Sequence, residues 1–229
     1  MQLTPAQIAD QYAWLYTDLP VPAGTWDHLI TTDGCYVGIK KAYGIDYVMF
    51  RGSTTFLDWI EDFAHFALPY DDPMLGGVHP GFRLGVLQVE DQINALVGPN
   101  VVCVGHSLGA GHALIYAGFR LALGKSVDQL VLYGAPRAGG TKLNRLLDKP
   151  EITNNRNEDE SGFDLVTKVP FSVPPMIVYY QPRVFTDVTA HPDPDDPWTV
   201  FKYHHFGLYC RALGADGPAA QSLNGYHAS

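Results

Sequence analysis

Ser107 stands out as a candidate for chemistry. It lies in Gly105-His106-Ser107-Leu108-Gly109, a G-x-S-x-G pattern between the apolar run "NVVCVG" and the small-residue run "SLGAGHALIYAGFRLALG". On a sharp strand-to-helix turn such a serine is exposed as a nucleophile. The glycines two positions to either side are needed because side chains there would collide with the crossing strand and helix. The following amide, that of Leu108, and the helix N-terminus then lie beside any oxyanion that forms. The competing interpretation is a turn with a helix-capping serine. The flanking strand and helix favour the nucleophile. A serine hydroxyl is weak at neutral pH, so a histidine must take its proton and a carboxylate must orient that histidine. In this architecture they follow in the order serine, acid, histidine. His112, His191, His204, His205 and His227 lie downstream, and the adjacent pair His204 and His205 falls where this order wants its base. Asp164, Asp187, Asp193, Asp195 and Asp196 lie between, and spacing alone does not choose among them.

The elements that must position these groups are written in hydrophobic period and turn chemistry. Ile8, Tyr12, Leu15 and Tyr16 recur at helical spacing, behind Thr4 as N-cap and Pro5 at the first helical position. "CYVGIKK" and "IDYVMFRG" around "AYG" predict an antiparallel hairpin near residues 35 to 50. "HPGFRLGVLQVEDQINALVG" predicts a helix ended by Gly98-Pro99, and strand "NVVCVG", the helix after Ser107, strand "QLVLYG" and a helix around "GTKLNRLLD" follow. This alternation predicts an α/β fold with a mostly parallel central sheet flanked by helices. "KPEITNNRNEDESG" reads as a polar stretch, "MIVYYQ" as a strand, "TVFKYHHFGLYC" as a last strand with its loop, and "ADGPAAQSLNGYHAS" as a frayed tail.

The 229 residues suit one α/β domain spanning 1–229. With a net charge of −9 and 15 scattered Lys and Arg, no basic stripe tracks a phosphate backbone, which argues against nucleic acid. No segment approaches the roughly 18 consecutive apolar residues of a transmembrane span, and the first residues have neither a basic nor an unbroken apolar stretch. Cys35, Cys103 and Cys210 have neither metal-like nor redox-like spacing. A cytoplasmic setting, no cofactor and no metal are expected. His191, Asp193, His204 and His205 could be imagined as metal ligands, but no H-E-x-x-H spacing supports them.

Several segments together resemble the class 3, or fungal-type, triacylglycerol lipases. "VMFRGSTTFLDWIEDF" is similar to that family's strand, oxyanion loop and lid, "VHPGF" to its His-x-Gly-Phe, and "VGHSLGAGHA" to its elbow. "LYGAPRAGG" resembles the next strand and "DLVTKVP" the acid segment, in order over about residues 35 to 210. The resemblance implies an α/β-hydrolase fold with a short helical lid after the oxyanion loop, Ser107 as nucleophile and Asp164 as acid. Ser53 and Leu108 would supply the oxyanion hole, Asp62 would orient the Ser53 hydroxyl, and His79 would be structural. "YHHFG" fits the family pattern with His205 as base after Tyr203. His204 would serve only if the register slipped by one, since neighbours in an extended segment point to opposite sides. Phe56, Leu57, Trp59 and Ile60 would form the apolar face of the lid at a lipid-water interface. The implied activity is hydrolysis of acylglycerol or other lipid-like esters. Phospholipase or galactolipase A1 activity, or feruloyl-ester hydrolysis, is the alternative on the same scaffold. A catalytically silent lipid- or protein-binding module ranks below both.

Overall fold

A computed structural model describes residues 2–53, 68–170, 179–181, 185–192 and 202–223. The first helix, α1 (Pro5–Ala13), opens as its sequence dictates: Thr4 Oγ1 accepts from the Gln7 amide while the Gln7 side chain accepts from the Thr4 amide. The hairpin is β2 (Tyr36–Ala42) and β3 (Ile45–Phe50), preceded by β1 (His28–Thr31). Its turn, Tyr43-Gly44, has positive φ at both residues, as a tight hairpin needs.

Next come a small hairpin, β4 (Tyr70–Asp72) and β5 (Gly76–Val78), and the helices α2 (Pro80–Leu87) and α3 (Glu90–Leu96). The single helix expected over this stretch is broken at Gln88-Val89, where Val89 leaves helical geometry and is wholly buried. The core continues through β6 (Val101–His106), α4 (Leu108–Ala122), β7 (Gln129–Tyr133), α5 (Thr141–Leu146), β8 (Glu151–Asp159), β9 (Gly162–Phe163) and β10 (Thr186–Val188). Helices α6 (Phe206–Ala212) and α7 (Pro218–Leu223) complete the described chain.

The main sheet runs β1-β2-β3-β6-β7-β8-β10, antiparallel from β1 to β3 and parallel from β3 to β10. Both faces are covered. Val101 and Cys103 of β6 enter one apolar cluster with α2 and α4, while Val102 and Val104 enter the other with α1, α6 and α7. This two-fold alternation between two buried faces explains why the strand reads as an unbroken apolar run. Each fully buried Val, Leu or Phe here contributes on the order of 1.5–3 kcal/mol.

Three expectations need correction. The polar stretch is mostly strand β8, whose Asn154, Asn155 and Asn157 are buried; Asn155 Nδ2, for instance, donates to the Leu132 carbonyl at 3.0 Å. Amide side chains that satisfy themselves on neighbouring carbonyls can occupy a core that hydropathy assigns to solvent. The expected last strand is a 3-10 turn, Lys202–His204, followed by α6, because Phe206, Tyr209 and Cys210 form a buried stripe at helical spacing. The expected frayed tail is, through Leu223, a helix next to α1: the Gly217 amide donates to Asp10 and the Ser222 and Thr17 hydroxyls meet at 2.9 Å. Of "MIVYYQ", Met176–Val178 lie outside the described residues, and Tyr180 forms an isolated bridge to Gly139.

Candidate active site

Ser107 sits at the turn from β6 to α4 with φ 57° and ψ −128°, a conformation that a residue with a Cβ rarely adopts. Close packing imposes it. A Cβ on Gly109 would lie 1.9 Å from the Phe50 carbonyl oxygen, and one on Gly105 would lie 2.3 Å from that of Gly109. Only hydrogen at both positions lets strand, turn and helix approach this closely. The Ser107 side chain makes no capping hydrogen bond, and its Oγ is buried without a hydrogen-bond partner among the described residues. A serine in a helix-capping role would be bonded to the first turn, so the capping interpretation does not hold.

Asp164 follows β9 and caps the 3-10 turn Leu165–Lys168, its Oδ1 accepting from the Val166 amide. Its Oδ2 accepts from His204 Nδ1 at 2.6 Å and from the Tyr209 hydroxyl at 2.5 Å. Asp164 and His204 are both buried. A carboxylate only accepts, so Nδ1 carries the ring proton of neutral His204 and Nε2 is its basic nitrogen.

The ring joined to Asp164 is therefore that of His204, not of His205, which was the expected partner. The physical reason is the 3-10 turn over 202–204, which removes the alternation of an extended strand. Tyr203 turns to Asp159 and His204 to Asp164, while His205 becomes the half-buried N-cap of α6. Gly134 lies directly beneath the pair, since a Cβ there would fall 2.3 Å from Asp164 Oδ2 and 2.7 Å from His204 Nδ1.

Sequence reasoning passed over three supports. His106 stacks on His204 with centroids 4.5 Å apart, its Nε2 donating to the His204 carbonyl at 2.8 Å. Its Nδ1 must then accept from the Tyr16 hydroxyl, at 3.0 Å, and that hydroxyl in turn accepts from the Gly52 amide at 2.7 Å. Burial, and then the neighbouring His204 ring, hold His106 well below the usual histidine range, so it stays neutral. Burial likewise pushes Tyr16 up to about 12. Tyr209, held on Asp164, is raised far above the ordinary phenol range by burial and then by that carboxylate. The only sequence signal for these tyrosines is an aromatic bearing a hydroxyl within an apolar helical stripe.

The residues expected to hold an oxyanion come together. Gly52 abuts the nucleophile, a Cβ there falling 3.1 Å from Ser107 Cβ, and Ser53 and Leu108 line one cavity of about 170 Å³ with Arg51 and Tyr36. Leu108 opens α4, where first-turn amides have no intrahelical acceptor. Asp62 and the expected lid residues Phe56, Leu57, Trp59 and Ile60 lie outside the described residues, as do Asp193, Asp195, Asp196 and His227. His79 caps α2 through Nδ1, and His112 packs against Cys35 with Nδ1 3.6 Å from Sγ. Burial lowers both rings to about 4. It raises all three thiols to about 12, which leaves them protonated. No described group of three His, Cys, Asp or Glu is placed to hold a metal ion.

A model of the lipase (class 3) family matches residues 47–173, more than half of the chain. The chain belongs to the class 3 lipases. A lipase of Rhizomucor miehei is 28% identical over 158 residues, which is 64% of this chain and 43% of that relative, so the match spans less than half the relative's length. Among solved structures, a mutant form of MDLA from Penicillium cyclopium superposes with a TM-score of 0.70 at 19% identity, over 93% of this chain and 97% of that one. A triacylglycerol lipase described as having a serine protease triad at its catalytic centre gives 0.59 at 20%, over 82% and 81%. These likenesses show the α/β-hydrolase fold. They also overturn the cytoplasmic expectation, because the class 3 relatives are secreted fungal lipases. Three buried, unpaired cysteines do not carry a location. No described helix is long and apolar enough to cross a membrane.

Proposed function

We propose that this class 3 lipase is a serine carboxylester hydrolase acting on lipid-like esters through Ser107, His204 and Asp164. The observation that carries the proposal is the buried 2.6 Å bond from His204 Nδ1 to Asp164 Oδ2, with His204 stacked on His106, which immediately precedes a serine on a strained elbow. His204 Nε2 takes the Ser107 hydroxyl proton as Oγ attacks the ester carbonyl. The imidazolium formed is stabilised by Asp164. The Leu108 amide, with that of Ser53, donates to the tetrahedral oxyanion, and removing one such donor lowers turnover by roughly a hundred-fold or more. The imidazolium returns its proton to the departing alkoxide. Water then attacks the acyl-enzyme with His204 again as base, releasing the acid and restoring Ser107.

The test is hydrolysis of p-nitrophenyl esters over a range of acyl chain lengths, with Ser107→Ala in parallel. Activity abolished by the substitution supports the serine mechanism, and the preferred chain length identifies the acyl group. Activity that survives it sinks the mechanism.

The apolar sequence from Phe56 to Ile60 supports a substrate presented at a lipid surface. Trp59→Ser is expected to lower the rate on emulsified relative to dissolved ester; an unchanged ratio would refute that part of the reading.

A further inference from the structure

Asn157 is wholly buried near the end of β8, where strand preference alone would favour a β-branched or aromatic residue. Its polar atoms are nevertheless all engaged. Its backbone carbonyl accepts from the Asp164 amide at 2.9 Å. Its backbone amide donates to the Tyr209 hydroxyl at 3.2 Å, the same hydroxyl that donates to Asp164 Oδ2. Its Nδ2 donates to the Ala190 carbonyl at 3.1 Å and to the Tyr203 carbonyl at 3.3 Å, and its Oδ1 accepts from the Ala190 amide at 2.9 Å.

Two of these bonds hold Ala190, and the other three reach two neighbouring segments. One carries the acid, fixed through its own backbone and, by way of Tyr209, through its carboxylate. The other carries the histidine, because Tyr203 immediately precedes His204. Asp164 and His204 are 40 residues apart and approach from separate elements, and Asn157 is bonded to both.

We infer that Asn157 is the positioning residue that holds Asp164 and His204 at bonding distance. This rests on reading Ser107, His204 and Asp164 as the catalytic set. The residue type follows from the partners. The Tyr203 and Ala190 carbonyls require two N–H donors and the Ala190 amide requires an acceptor, a combination that a short carboxamide supplies from a single side chain. An aspartate would set a carboxylate against two carbonyl oxygens, and an aliphatic residue would leave all three groups without partners. Asn154 is a natural control. It is equally buried in the same strand, but its Nδ2 donates to Gln181 and neither Asp164 nor His204 depends on it.

The experiment compares Asn157→Ser with Asn154→Ser in the full chain. Folded fraction comes from circular dichroism, kcat and KM from a dissolved p-nitrophenyl ester, and the imidazole N–H bonded to Asp164 from proton NMR. Asn157→Ser is expected to lower kcat per folded molecule roughly tenfold or more, as sub-ångström misplacement of reacting groups does. KM should stay within about twofold, and the downfield imidazole N–H signal should broaden by exchange. Asn154→Ser should leave all three near wild type. Asn157→Thr, a strand former of similar bulk that cannot bridge two carbonyls, gives the same comparison where the serine variant does not fold.

Equal kcat per folded molecule in the two serine variants, or a loss confined to KM, overturns the role of Asn157. Ester cleavage that survives Ser107→Ala overturns the catalytic reading instead. A dead Ser107→Ala beside a fully active Asn157→Ser rejects the positioning role alone.

Discussion

The nucleophile and the acid-base pair are built on opposite principles. The turn that carries Ser107 is local and apolar: a few consecutive residues held by backbone contact, with Gly105 and Gly109 allowing β6, α4 and the end of β3 to touch. The Asp164-His204 pair is non-local and polar, assembled from β8, a 3-10 turn and the start of α6 by side-chain hydrogen bonds from Asn157, Tyr209 and His106. Packing fixes the first and directional bonds fix the second. The elbow should therefore fail all at once by steric collision, and the pair should degrade step by step.

The largest expected effect is on the identity of the base. His204→Ala should lower kcat/KM for a dissolved ester by roughly ten-thousand-fold, the scale of losing a triad member, while His205→Ala stays within several-fold. The reverse ranking would reject the pairing described above. Next comes the elbow itself. Gly109→Ala places a carbon against the Phe50 carbonyl and should cost at least ~3 kcal/mol of stability, read as a collapse of the thermal melting temperature rather than a change in KM.

Acidification tests the two regions together. His79, His106 and His112 are buried neutral with their pKa values lowered by burial, to about 4 for His79 and His112 and well below the ordinary histidine value of 6.5 for His106. The unfolded chain then binds more protons than the folded one below 6.5, so stability falls as the pH drops from 6.5 toward 4. From pH 7 to pH 6 the three together should cost about 2 kcal/mol, measured as a lower urea midpoint. The Asp159 tether to Tyr203 also weakens on acidification, but over a lower pH window. Its pKa is lowered from 3.8 to about 2, first by the Tyr203 hydroxyl and then by His191, so its contribution is present above 3.8 and lost only as pH falls through about 2. A urea midpoint unchanged between pH 7 and 6 would show that the three rings are not buried neutral.

Tyr209→Phe should act more mildly. It removes one of the two donors on Asp164 Oδ2 and strands the Asn157 amide, costing about 1–2 kcal/mol in a denaturant melt, with a several-fold lower kcat. The smallest effect belongs to His191→Ala. The ring pairs with Asp159 but its side chain is 79% exposed, and such pairs contribute little. Activity should stay within about twofold; a larger loss would mean that the surface pair anchors the histidine segment more firmly than Tyr203 does.

The same contrast explains what the sequence made legible. Ser107 with its glycines, the Thr4-Pro5 helix start and the 35–50 hairpin were readable because each is decided by residues a few positions apart. Asp164 could be singled out only through family resemblance. The choice between His204 and His205 turned on a 3-10 turn that the alternation of "TVFKYHHF" conceals. Strand β8 was hidden for a related reason: "TNNRNED" has the composition of a loop, and its asparagines belong in a core only because partners from distant segments satisfy them. Tyr16 reads as one more apolar position of the first helical stripe, and nothing local marks it as the acceptor for Gly52.

Gly134 is not among the residues that line the cavity with Ser53 and Leu108, yet the room it leaves is what lets the acid and the base rest against the end of β7. A saturation library at this position, selected for ester cleavage, would return glycine alone. Such a position would look catalytic in any mutational survey while taking no part in the reaction, and would be recognised for what it is only from the volume that its missing side chain leaves vacant.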